Sequence, residues 1–288
     1  MAEKDGSWRP WLMLAPAVTT VTLLLVMPVC FIIVYSFWLR SAAGGEIPGF
    51  YLDNWREVLG DPFDRDILFS TLRIAAIATL ACAVLGYAPA YFLAMSTTRH
   101  KTPLLLLLVL PFWISYIIRT MSWINILGVS GALNRALLWS GAISEPIQML
   151  YNETTVILGL VHFLLPFMVL NVYVSLEAID RNLIDASRSL GASGLQTFRE
   201  VTLPLSLPGL AAGGLLCFVL AAGTYITPMV LGGPRDAMFA NIVFETVITQ
   251  LNWPLGSALS IVLLIVLGGI VTVYNRLVGF GQIARSFG

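Results

Sequence analysis

Six stretches, each long enough to cross a bilayer and nearly free of charge, constrain this chain more than any other feature. They lie at about residues 11–38, 70–95, 103–127, 154–176, 207–231 and 255–275. A hydrocarbon core about 30 Å thick needs about 20 apolar residues of helix. Lipid offers the backbone no hydrogen-bond partner, so runs this long are satisfied only as helices. The expected fold class is therefore all-α, a polytopic membrane protein with six transmembrane helices. Composition agrees: 58% of the residues are apolar and 11% charged, where a soluble domain carries about 25% charged residues. Mean hydropathy is +0.85. Sixteen basic and sixteen acidic side chains cancel, which leaves no electrostatic footprint for nucleic acid. A soluble enzyme, a disordered chain and a nucleic-acid binder are excluded.

The basic residues suggest an orientation. With the N-terminus in the cytoplasm, Lys4, Arg9, Arg99, Lys101, Arg181, Arg188, Arg199, Arg276 and Arg285 fall inside. Arg40, Arg56, Arg65, Arg135 and Arg235 fall outside. Nine against five favours both termini in the cytoplasm. The first run is longer than a signal-peptide core and lacks a small-residue cleavage site, so it is expected to remain as an anchor. The first outer loop, about 41–66, is acidic and contains Asn54 and Trp55. The second, about 128–152, holds a short amphipathic piece, Leu133 to Trp139, suited to the interface. The inner loop at 177–206 is long and polar.

Cysteine and lysine usage narrow the chemistry. Cys30, Cys82 and Cys217 all sit in apolar runs. An odd number in such places reads as small buried hydrophobes. The two lysines, Lys4 and Lys101, do not follow glycine, so the chain has no Gly-Lys-Ser/Thr loop for nucleotide phosphates. No metal site is expected.

The long inner loop reads as a helix, a glycine-centred turn and a second helix. Gly191 suits a helix stop that needs φ > 0, and Ser193 suits the cap of the second helix. The spacing is distinctive. Asp185-Ala186-Ser187 is followed after three residues by Gly191, and after nine more by Val201-Thr202-Leu203-Pro204. This resembles the loop of permease subunits of binding-protein-dependent (type I) ABC importers, which carry Glu-Ala-Ala, three residues, Gly, nine residues, then Ile-x-Leu-Pro. Asp185, Ser187 and Val201 are conservative replacements. Further segments resemble the spermidine/putrescine branch, first-permease type: Leu110-Pro111-Phe112-Trp113 with Arg119 and Trp123, Leu165-Pro166-Phe167-Met168, Leu231-Gly232-Gly233-Pro234, and Asn252-Trp253-Pro254-Leu255-Gly256. The resemblance covers nearly the whole chain.

The resemblance implies a single permease domain with the type I importer fold, in a bacterial inner membrane. It implies partners: two ATPase subunits that hold ATP and Mg, a second permease subunit, and a periplasmic solute-binding protein. It implies no cofactor and no catalytic residue on this chain. The coupling residues would be Asp185, Ala186, Ser187, Arg188, Leu190, Gly191, Leu203 and Pro204. ATP-driven closure of the ATPase pair would pull on them and rock the spans between inward-open and outward-open states.

Candidate solute-path residues come from the spans. Arg119 lies about 25 Å along the third run, at 1.5 Å per residue. It either snorkels to the outer interface or pairs with a loop carboxylate, or it meets the solute or the docked binding protein. No acidic residue sits deep in a span, so a cation would rely on aromatic faces and carbonyls. Trp113, Tyr116, Trp123 and Tyr225 could supply them, or they belong to the ordinary interfacial belt. Thr224, Tyr225 and Thr227 lie in a segment, Gly223 to Pro228, that interrupts the fifth run, either as a solute-lining break or as a plain kink. His162 suits a neutral histidine bonded to a neighbouring helix. Asn241 and Glu245 suit a solvated outer helix or an outer gate.

Two other functions compete. A secondary carrier would need buried carboxylates to couple ions. A rhomboid-like intramembrane protease finds a Gly-x-Ser-Gly at Gly128 to Gly131, but Ser130 needs a base. The two histidines are His100 and His162, and none follows in a later helix. A purely structural subunit remains a third reading.

Overall fold

A computed structural model of the chain describes residues 9–41, 44–96 and 101–286, with side chains at 13–41, 44–96 and 101–277. Lys4, Arg99 and His100, which entered the sequence argument, lie outside the described residues, as do the side chains of Arg9 and Arg285. Among the described residues, five helices are long and apolar enough to span a membrane, six if one bent pair counts as a single span. The chain divides into two compact units, Met1–Asp64 with Ile242–Ile265, and Arg65–Asn241 with Val266–Gly288.

The first unit begins with α1 (Arg9–Val21), a wide π turn at Thr22–Val26, and α2 (Met27–Tyr35). Pro28 cannot donate to the carbonyl one turn back and its ring crowds that position. The wide turn immediately before it relieves that conflict. The span Met13–Tyr35 buries none of its residues, so its apolar surface faces lipid or another chain. Cys30 on α2 is exposed, which corrects the expectation of three buried cysteines. A two-residue antiparallel pair, β1 (Leu39–Arg40) and β2 (Glu46–Ile47), comes next. On α3 (Asp53–Gly60) the buried Asn54 donates to the carbonyls of Ser36 at 3.0 Å and Trp38 at 2.8 Å. Trp55 Nε1 donates to Ser36 Oγ at 3.3 Å. One Asn-Trp pair thereby closes the chain leaving the first span.

In the second unit, α4 (Pro62–Met95), α5 (Lys101–Val109) and α6 (Tyr116–Leu127) surround α8 (Glu153–Glu177), with α7 (Ala132–Trp139) between α6 and α8 in sequence. The inner hairpin comprises α9 (Arg181–Ser189) and α10 (Gly194–Thr197). A π turn at Phe198–Thr202 leads into α11 (Leu203–Ala222), then α12 (Ile226–Leu231). The chain continues through α13 (Phe239–Phe244), a third π turn at Glu245–Thr249 and α14 (Trp253–Ser286).

The core of the second unit is built on α8. Val156, Leu160, Leu164, Met168 and Val172 recur every fourth residue and are fully buried, the spacing that keeps one face of a helix inward. In lipid there is no hydrophobic force between helices, so association rests on close packing and small residues. A Cβ on Gly213 of α11 would sit 3.0 Å from Asn171 Cβ and Met168 Sδ. A Cβ on Gly159 would meet Leu231 Cδ1 at 2.7 Å. Cys82 and Cys217 are buried and donate to the α8 carbonyls of Val161 and Leu164. Ion pairs hold both ends of α8: Arg73 with Glu153, and Lys101 with Glu177 at 3.3 Å.

Three expectations need correction. The third stretch, taken as one span over 103–127, is broken by a 3₁₀ turn at Leu110–Trp113, and the chain bends by 92° there. Pro111 and the extended Ile114 and Ser115 end one helix before the next begins. The second helix starts at Pro62 rather than near 70. Arg65 and Asp66, placed in the outer loop, lie on its first turns. The fifth run, placed at 207–231 with an interruption from Gly223 to Pro228, does break there, between Ala222 and Ile226, but its helix begins earlier, at Gly194. The inner loop therefore ends sooner than 206, its second arm running directly into the span.

Candidate functional site

The inner hairpin is shaped by local chemistry. The Asp180 side chain caps α9 by accepting from Asn182 N at 3.0 Å. The helix ends at Gly191, whose φ is +89°, with Gly191 N bonded to the Arg188 carbonyl and Ala192 N to that of Ser187. Ser193 and Gln196 then form a reciprocal capping box for α10. Ser187 Oγ and Thr197 Oγ1 lie 3.1 Å apart and join the two arms. Ile184 is buried, while Leu183, Leu190 and Leu195 are exposed, Leu190 at 89%. Asp185, Ala186 and Arg188 are exposed on the same helix, and Ser187 between them is half-buried. Leu203 and Pro204 are the first residues of α11, half-buried below the π turn.

The hairpin is fixed to the end of α4. Phe198 stands edge-on to Tyr87 and Tyr91, with centroids 5.8 and 5.6 Å away. Arg181 and Lys101 both donate to the Ala94 carbonyl, at 3.2 and 3.0 Å. Between the arms and α4 lies a cleft of about 230 Å³, walled by Tyr91, Ile184, Asp185, Arg188 and Thr197. Phe198 and the π turn thus connect the hairpin to both α4 and α11.

At the other candidate region, two helix breaks meet. The Tyr116 hydroxyl bonds Thr224 Oγ1 at 3.0 Å and also Thr227 Oγ1, joining the start of α6 to the gap between α11 and α12. Asn241 donates to the Tyr225 carbonyl at 2.8 Å, so it serves the same joint, where the sequence had suggested a solvated face. Tyr116 packs on Phe163 with centroids 4.4 Å apart. Arg119 is buried, at 8% exposure. Among the described residues no ion pair joins it to a loop carboxylate. Its Nη1 donates to the Pro111 carbonyl at 2.9 Å, and Cζ lies 5.5 Å from the Phe163 centroid and 6.0 Å from that of Phe112.

Trp123 Nε1 donates to His162 Nδ1 at 3.1 Å. An indole only donates, so this bond requires Nδ1 without a proton. His162 is thus tied to a neighbouring helix, and Ser130 sits in an exposed turn closed by Gly131 N on the Gly128 carbonyl. Trp113 stands apart at 84% exposure. Of the seven path candidates, the structure gathers Tyr116, Arg119, Thr224 and Thr227, places Trp123 and Tyr225 beside them, and leaves Trp113 outside. Phe112, Phe163 and the Pro111 carbonyl were missed. Their part depends on the 92° bend, and Pro111 was the sole hint of it.

The pattern of the family described as binding-protein-dependent transport system inner membrane component matches residues 4–280. The chain is 40% identical over 264 residues to the spermidine/putrescine transport system permease protein PotB of Escherichia coli (strain K12), covering 92% of this chain and 96% of that one. It is 35% identical over 251 residues to the PotB protein of Haemophilus influenzae, covering 87% of each. Among solved structures, a chain of a bacterial ABC transporter involved in import of the acidic polysaccharide alginate superposes with a TM-score of 0.75 at 17% identity, covering 94% of both. That likeness concerns the fold.

Proposed function

The chain belongs to the family of binding-protein-dependent transport system inner membrane components and is a permease subunit of an ABC importer, and we propose that its solute is a polyamine-like organic cation. It is a transport subunit, and ATP is hydrolysed on a separate chain. The observation that carries the solute reading is the 40% identity, over 92% of the chain, to permeases named for spermidine and putrescine. The chemistry around the two helix breaks is compatible with it. Aromatic faces and carbonyls receive an alkylammonium without a buried carboxylate.

In this reading the chain crosses the inner membrane six times, the bent third pair counting as one span, with both termini in the cytoplasm. Asp185 to Gly191 forms the core of the coupling helix, and the exposed Leu183, Leu190 and Leu195 of the hairpin enter a groove of the ATPase. Asp185 and Arg188 make polar contacts at the rim. Two ATPase subunits, a second permease and a periplasmic binding protein complete the importer. Tyr116, Thr224 and Thr227 join helices that must separate when the path opens.

The test is a detergent pull-down of the tagged chain with the products of neighbouring genes, followed by reconstitution. The expected result is co-purification of an ATPase, and ATP-dependent uptake of putrescine or spermidine that requires a binding protein. Uptake by the chain alone, without ATP, would overturn the reading in favour of a secondary carrier. An ATP-driven complex that ignores both amines would overturn the solute assignment.

A further inference from the structure

Arg119 brings a positive charge into the helix bundle, and among the described residues no carboxylate pairs with it. It is 8% exposed, and among the described residues its one hydrogen bond is from Nη1 to the Pro111 carbonyl, at 2.9 Å. A guanidinium has five N–H donors. A buried one held by a single neutral acceptor is held weakly compared with a bidentate ion pair. Its surroundings have the form of a cation receptor. The Phe163 and Phe112 centroids lie 5.5 and 6.0 Å from Cζ, and a carbonyl oxygen completes the cage. Aromatic faces with an oxygen acceptor are how proteins recognise organic ammonium groups. The Pro111 oxygen is available because the helix breaks there. It accepts Ile114 N at 3.2 Å and offers its second lone pair to the cage.

The cage abuts the joint between the two broken helices. Phe163 packs against Arg119 on one side and against Tyr116, at 4.4 Å, on the other. Tyr116 in turn holds Thr224 and Thr227.

We propose that Arg119 is a tethered stand-in for the solute: it fills the Pro111–Phe112–Phe163 cage when the path is empty, and an incoming alkylammonium group displaces it. Two positive charges cannot share the cage, and the long arginine stem lets its head swing away along α6. An alkylammonium head is tetrahedral where guanidinium is planar, so the exchange shifts Phe163, which loosens the Tyr116 joint and couples solute arrival to opening. The identity of the displacing group rests on the organic-cation reading above. The plug itself does not.

The test uses the full importer in proteoliposomes. With no amine and no binding protein present, Arg119→Ala should raise ATP hydrolysis severalfold, because the joint is no longer held. Millimolar guanidinium chloride, which refills the cage, should return it toward the wild-type rate, and equal sodium chloride should not. Hydrolysis that stays at or below the wild-type rate overturns the proposal. So does a rise that guanidinium leaves untouched, since that is a packing defect. Phe163→Leu keeps the arginine and decides the matter should Arg119→Ala not reach the membrane. It should raise solute-free hydrolysis, and raise the apparent KM for putrescine by about two- to fivefold, the loss of one cation–π contact. Unchanged values for Phe163→Leu overturn the plug. Failure of the wild type to take up putrescine or spermidine would sink the solute reading alone, because the hydrolysis arm needs no solute.

Discussion

Replacing Gly191 with asparagine, alanine and valine separates backbone strain from crowding at the elbow of the inner hairpin. The residue has φ +89°, and a Cβ built on it meets nothing within 4 Å. Side-chain volume is therefore free, and the whole penalty lies in the backbone. A left-handed conformation costs an ordinary L-residue about 1–2 kcal/mol. Asparagine loses less because its side chain bonds locally, and β-branched valine loses more. About 1.4 kcal/mol is a tenfold shift in an equilibrium, so alanine should reduce the share of hairpins with this elbow by about tenfold relative to alternatives. The assay is ATP-driven uptake in cells, normalised to the amount of chain in the membrane and to the ATPase that co-purifies with it. Uptake should fall in the order glycine, asparagine, alanine, valine, with membrane amounts unchanged. Valine performing as well as asparagine would refute the strain argument. Equal loss for all three would point to a direct contact by the bare glycine.

Two further outcomes come from packing. Gly213→Leu should prevent stable assembly of α11 against α8, because even a Cβ there lies 3.0 Å from Asn171 Cβ and Met168 Sδ. Gly214→Ala, one residue on, meets only Thr79 Cγ2 at 3.8 Å and should be tolerated. Size-exclusion profiles in detergent distinguish the pair. Asn54→Leu leaves the Ser36 and Trp38 carbonyls without their donor, at a cost of about 1–3 kcal/mol for an unsatisfied buried group. Faster protease cleavage between residues 41 and 54 should report it, and an unchanged digestion rate would show that the asparagine clamp is dispensable.

Features that depend on neighbours along the chain were legible in the sequence. The apolar runs were visible because desolvation acts on each residue where it stands. Gly191 and Ser193 were readable because a turn or a cap is settled within four residues. The Asp185 to Pro204 spacing was readable because it is a fixed pattern within one short loop. Long-range geometry was not. The run from 103 to 127 carries no charge apart from Arg119, so its bend escaped notice, and with it the reach of Arg119 back to Pro111. Asn241 looked like a surface residue until the carbonyl it serves, on Tyr225, was brought to it by a break in another helix. Cys30, Cys82 and Cys217 look alike in sequence, and only packing divides them into one exposed and two buried.

The wide turn at Phe198–Thr202 has a consequence for insertions and deletions. A π turn is an α-helix carrying one extra residue. Each residue of an α-helix contributes about 100° of rotation and 1.5 Å of rise. Loss of a single codon within that turn would leave a regular helix, with every remaining residue as apolar or polar as before. Because the wider turn already absorbs the extra residue within one revolution, the hairpin that it carries would keep nearly its present direction. The same loss from the regular part of α11 would swing the hairpin by about 100°, which makes the wide turn the one place in that helix where a codon can be lost with α9 still aimed as before.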